Sequence, residues 1–189
     1  MVTNFKYIFF SLFFLFSCSL APNFDKKKSI NVITTNDIHG MLADQNADFM
    51  NPNFPPVIIG ASGFQKYVKD LKLEFSQENE VLIFDSGNFF QGHPIGIVDS
   101  GRTVIDWMNK VGYNALVPAQ YDFIFGYENL LALSDRAEFP FIACNLLHED
   151  TDETLFEPYT IIESNNINIG VLGIVPSNLK DIVLSNKLN

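Results

Sequence analysis

Apolar residues recur at two different periods along this chain, and the alternation between them predicts a mixed α/β fold. Short runs rich in Val, Ile and Phe predict strands over residues 30–35, 81–85, 115–118, 139–144, 159–163 and 167–174. Between them, apolar positions three and four apart predict helices. Phe64, Tyr67, Val68 and Leu71 make one stripe within 63–75, Val104, Trp107 and Met108 a second within 103–111, and 128–136 carries a third. These stripes are expected to face a core, and no cofactor role attaches to Trp107 or Met108. Strands alternating with helices imply a parallel sheet. The segment 44–56, rich in Asn and Pro, is expected as an insertion at the sheet rim, either a lid or a loop without structure.

One apolar run obeys neither period. Lys6 precedes a nearly continuous apolar stretch from Tyr7 to Phe16, too short to span a bilayer and of the length of a secretory leader. It ends in Leu15-Phe16-Ser17-Cys18, which resembles a bacterial lipoprotein cleavage site, although Phe16 is bulkier than the residue usual there and a plain signal peptide stays open. The expected division is a leader over 1–17, a lipidated Cys18 with a tether over 18–29, and a domain over 30–189. Lys26, Lys27 and Lys28 in the tether are read either as a contact with anionic lipid or as a solvated linker. Cys18 and Cys144 could pair in an exported chain, but Cys144 follows the apolar residues Phe141, Ile142 and Ala143 and reads as a buried free thiol. The expected location is therefore the bacterial cell envelope, on a membrane through the lipid anchor or in the periplasm. A net charge of -10 and a pI near 4.6 argue against nonspecific binding of nucleic acid.

Candidate chemistry sits after the first predicted strand, where the chain reads Val32-Ile33-Thr34-Thr35-Asn36-Asp37-Ile38-His39-Gly40. The turn places the Asp37 carboxylate and His39 imidazole at the C-terminal edge of a sheet, where ligands of open α/β folds collect. One hard oxygen and one borderline nitrogen suit Zn, Mn or Fe better than Ca. Two ligands are too few for a metal site, and taken alone the pair reads rather as a turn cap at Asp37 and a surface histidine at His39.

Three segments extend the pattern. Asp37-Ile38-His39-Gly40 resembles the opening motif of the secreted 5'-nucleotidase and cyclic-phosphodiesterase family, within the calcineurin-like metallophosphoesterases. Phe84-Asp85-Ser86-Gly87-Asn88-Phe89-Phe90-Gln91-Gly92 is similar to its second motif, normally Leu-Asp-Ala-Gly-Asp followed by two residues and Gln-Gly. Met108-Asn109-Lys110-Val111-Gly112-Tyr113-Asn114-Ala115 resembles the approach to its third. The runs 139–146, 155–159 and 169–174 resemble the family again. The resemblance implies a four-layer α/β/β/α sandwich, of which this chain would supply the first sheet, its helices and the start of the second. It implies nucleotide phosphoester hydrolysis with a divalent metal such as Zn or Mn, and metal ligands at Asp37, His39, Asn88 and Gln120, with Tyr121 at the position of the catalytic histidine.

The departures from that pattern carry physical consequences. The family's bridging carboxylate is here the neutral amide Asn88, which bridges two cations poorly because it lacks the Coulomb attraction of a charge. Gln120 is one methylene longer than the usual Asn. Tyr121 replaces the histidine with a phenol, a feeble acid at neutral pH. Of the other histidines, His93 reads as a loop residue and His148 has no ligand-like spacing, while Asp85 is expected to hydrogen-bond locally at the strand end. The expectation is an envelope protein resembling the N-terminal part of a 5'-nucleotidase, impaired in hydrolysis, with a further chain covering the half-sandwich. An active single-metal enzyme, a nucleoside- or protein-binding module, and the remnant of a broken gene are the competing readings.

Overall fold

The computed structural model describes residues 29–75, 81–148, 151 and 153–179. The leader, the Cys18 lipidation site and the Lys-rich tether fall outside these residues. Strand β1 (Asn31–Thr35) pairs in parallel with β4 (Val81–Asp85), and β4 with β5 (Ala115–Leu116). Parallel neighbours need a crossover. Helix α1 (Ala61–Phe75) lies on the path from β1 to β4, and α3 (Arg102–Val111) on the path from β4 to β5.

The ladder continues beyond β5 through single bridges from Leu116 to Phe141 and from Ile142 to Glu157. It then meets an antiparallel hairpin of β6 (Tyr159–Ser164) and β7 (Ile167–Leu172). The strand expected over 139–144 is thus a bridged segment rather than a regular strand. Ala143 donates to Glu157 and Cys144 to Gly173, so successive residues pair with different neighbours and no two-sided ladder forms. Cys144 is free and half-buried, not buried as expected. The insertion 44–56 contains β2 (Gln45–Asn46), which pairs with β3 (Val57–Ile58). This ribbon is pinned by Ala47 N–H to Pro56 O at 2.8 Å and by Gly60 N–H to the Asp44 carboxylate at 2.6 Å.

The stripes read from sequence mostly face inward. Val68, Val104, Ile105, Met108, Leu130 and Leu133 join Ile83, Leu116, Phe89, Phe90, Phe123 and Phe141 in one apolar cluster. Each such side chain stabilises the fold by about 1.5–3 kcal/mol relative to exposure. Trp107 packs against the cluster and donates its indole N–H to Ala61 O at 3.1 Å. Tyr67 departs from the stripe and is more than half exposed. Tyr159, Ile161, Leu172 and Ile174, on and beside the β6–β7 hairpin, are exposed apolar side chains. Among the described residues no helix is long and apolar enough to cross a membrane.

Candidate functional site

Three turns converge beyond the C-terminal ends of β1, β4 and β5. The backbone zips the first two together: Asp37 N–H donates to Gly87 O at 3.0 Å, His39 N–H to Asn88 O at 2.9 Å and Gly40 N–H to Phe89 O at 2.9 Å. Asp37, His39 and Asn88 all lie in the left-handed region, with φ of 52°, 52° and 57°. Asn, Asp and His are the side chains that tolerate this region best after Gly, and such conformations persist where surrounding bonds over-determine them. Gly87 between them has φ of 88°, and a Cβ there would strike the backbone of Ala119. The close approach of the second and third turns therefore requires glycine.

The side chains continue the zipper. Asn88 donates through Nδ2 to Asp37 Oδ1 at 2.7 Å, and its Oδ1 accepts the Tyr121 backbone N–H at 3.0 Å. Asn36 donates to the other Asp37 oxygen at 2.7 Å. The Asn88 amide, aided by Asn36 and His39, holds the Asp37 carboxyl below the usual carboxylate range. His39 places Nδ1 2.8 Å from Gln91 O, which leaves Nε2 as the nitrogen nearer Asp37, 3.9 Å from its Oδ1. The His39 and Tyr121 rings lie 6.0 Å apart in a tilted arrangement. Gln120 opens a 3-10 turn, Gln120–Phe123, and is half-buried.

Two acids stand behind this layer. Asp122 is fully buried and accepts three backbone N–H groups, from Asn88 at 2.7 Å, Phe89 at 3.0 Å and Ala119 at 2.9 Å. Burial pushes its carboxyl up to about 7, against the opposing pull of those donors. Asp85 accepts from Thr35 Oγ1 at 2.5 Å and from Gly87 N–H at 2.8 Å, and burial pushes it up to about 6. Thr35 in turn lies 3.0 Å from the Tyr113 hydroxyl, whose acidity burial suppresses. Asp85 bonds locally at its strand end, the role its position suggested. His93 caps the short helix α2 (Pro94–Ile97), its side chain accepting from Ile95 N–H, while its backbone N–H donates to His39 O at 2.8 Å.

Sequence reasoning missed Asp122 and Gln91 as organisers of the turns. An acid three residues into a turn that reaches back to the first N–H is a readable capping signal, and Ala119 to Asp122 fits it. Nothing in the sequence indicates that the same carboxylate would also reach Asn88 and Phe89.

Among the described residues no group of three His, Cys, Asp or Glu side chains is placed to hold an ion. Asp37 and His39 are adjacent, but the Asn88 oxygen is engaged by a backbone N–H and its amino group, which has no lone pair for a cation, faces Asp37. Tetrahedral metal sites use at least three protein ligands; these residues do not fit one. Beside the turns lies an open cleft of about 470 Å³ bounded by Ser86, Val117, Pro118, Ala119, Leu172 and Ile174.

A 5'-nucleotidase of Vibrio cholerae serotype O1 is 26% identical to this chain over 166 residues, covering 85% of the chain. The chain is similar to the N-terminal part of proteins named 5'-nucleotidase. It spans 28% of that Vibrio protein's length. The fold, a parallel sheet with helices, matches the N-terminal part of solved structures. Sulfate thiohydrolase SoxB from Thermus thermophilus superposes with a TM-score of 0.73 at 16% identity, over 82% of this chain and 37% of SoxB. A 5'-nucleotidase precursor, also from Thermus thermophilus, superposes with a TM-score of 0.66 at 18% identity, over 79% of this chain and 29% of its own. No protein-family model matches the chain.

Proposed function

We propose that this chain is an exported, lipid-anchored envelope protein built on the nucleotidase scaffold and impaired in nucleotide phosphoester hydrolysis. The observation that carries the reading is Asn88. At the position where the resemblance implies a bridging carboxylate, an amide spends its oxygen on Tyr121 N–H and its amino group on Asp37. Tyr121, nearly half exposed beside His39, supplies a phenol where the resemblance implies a catalytic imidazole. The Lys6 leader and Cys18 support export and lipidation, and a chain covering the exposed apolar residues of the β6–β7 hairpin belongs to the same proposal.

The test is phosphate release from nucleoside monophosphates with Zn, Mn or Mg. The full chain is expected to release none above a protein-free blank. Metal-dependent release that Asp37→Ala abolishes would overturn the reading. Intact-mass analysis of the membrane fraction tests the anchor: diacylglycerol on Cys18, absent in Cys18→Ala, is the expected result.

A second reading is favoured by the cleft. Its walls are mostly aliphatic and proline side chains with Ser86 as a polar group, which suits an uncharged ligand such as a nucleoside, or an apolar side chain of a protein. Calorimetry that shows no heat with nucleosides would remove the nucleoside version.

A further inference from the structure

Backbone bonds join the first turn to the second and Asp122 joins the second to the third; we infer that the Asn88 carboxamide supplies the remaining tie, from the first turn to the third, in place of the metal that the resemblance implies there. The inference rests on the reading of the site given above and goes further, because it concerns what organises the turns rather than whether they hydrolyse. Asn88 touches all three. Its Nδ2 reaches Asp37 in the first turn at 2.7 Å and its Oδ1 takes Tyr121 N–H in the third at 3.0 Å. Its backbone O accepts His39 N–H at 2.9 Å, and its backbone N–H goes to Asp122 at 2.7 Å.

Both Asp37 oxygens and the Asn88 oxygen are thereby engaged by N–H donors, and only His39 Nε2, 3.9 Å from Asp37 Oδ1, faces them as a nitrogen ligand. Asp37 presents one oxygen to Asn88 and the other to Asn36. A carboxylate at position 88 in this same arrangement would set oxygen against oxygen at the distance now spanned by an N–H donor. Like charges at that separation repel unless a cation lies between them. The amide removes both the repulsion and the need. Its left-handed backbone, with φ of 57°, is one Asn adopts readily, so the substitution fits the local conformation as well as the contacts.

The consequence is a site whose stability is indifferent to metal and which a single substitution makes dependent on it. The experiment is thermal melting of the full chain in detergent, in EDTA and with Zn, Mn or Mg, for the parent and for Asn88→Asp. A bound ion must raise the melting temperature. The parent is expected to melt at one temperature throughout, and Asn88→Asp to melt lower in EDTA and to recover with at least one of the ions. A parent that rises with any ion, a variant as stable as the parent in EDTA, or a variant that no ion rescues would each overturn the inference.

If Asn88→Asp does not fold, Asp37→Asn decides the question. It keeps an oxygen for Asn88 Nδ2–H while removing the charge a cation requires, and is expected to lower the melting temperature by no more than about 4 °C, the worth of about one hydrogen bond in a chain of this size. A loss of more than about 4 °C in EDTA, or a parent whose melt any ion raises while Asp37→Asn does not respond, overturns the inference. Phosphate release by a parent with a metal-indifferent melt would sink the hydrolysis reading and leave this one standing. A metal-raised melt without hydrolysis would do the reverse.

Discussion

Replacing Asp122 by alanine should be among the most damaging single changes in this protein. The carboxylate has no solvent exposure and accepts the N–H groups of Asn88, Phe89 and Ala119 at 2.7–3.0 Å. Alanine leaves all three donors without a partner. A buried unsatisfied N–H costs about 1–3 kcal/mol. Phe89 is buried, whereas Asn88 and Ala119 are half-buried and water can partly replace the lost acceptor there. The expected loss is therefore on the order of 4 kcal/mol rather than the full sum. At roughly 2–4 °C per kcal/mol for a chain of this size, the melting temperature should drop by about 10 °C. Asp122→Asn keeps one acceptor oxygen and should fall between the parent and Asp122→Ala. The assay is a thermal melt followed by circular dichroism, paired with amide hydrogen exchange at Asn88, Phe89 and Ala119, which should speed up together. An Asp122→Ala protein melting within about 3 °C of the parent, with those amides still protected, would refute the idea that this carboxylate ties the second and third turns.

Burial raises Asp85 to about 6 and Asp122 to about 7. The folded state thus holds protons that an unfolded chain, with carboxylates near 4, releases. Their contribution to stability is complete below about pH 4 and disappears as pH rises through 6 to 7. The parent should melt higher at pH 5 than at pH 8, and Asp122→Asn should flatten that difference; a melting temperature that climbs from pH 5 to pH 8 would contradict the assignment. Gly87→Ala should yield little soluble protein or lower the melting temperature sharply, because φ of 88° and contact with the Ala119 backbone both exclude a Cβ; an unchanged melt would show that the second and third turns do not meet so closely. Thr35→Val removes the donor to Asp85 and the contact with Tyr113 and should cost about 1–2 kcal/mol, read as a shift in the denaturation midpoint.

The alternation of strands and helices was legible because it depends on local periodicity. Strand β4 ran over the expected residues, α1 and α3 began within two residues of their predicted starts, and both closed where predicted. The motif Asp37-Ile38-His39-Gly40 identified one corner of the site because both side chains lie on a single turn. The Asn88 substitution was visible as a lost charge, but not what the amide does instead. That depends on where Asp37 and Tyr121 arrive, 51 and 33 residues away in the chain. The same limit explains the segment 139–144: its apolar run suggests a strand, while the availability of Leu116, Glu157 and Gly173 as partners decides that it bridges instead. Residue types and spacing determined which elements form and which chemistry is available. Only the tertiary structure decided which donors meet which acceptors, because hydrogen bonds across turns depend on a few tenths of an ångström that no local pattern encodes.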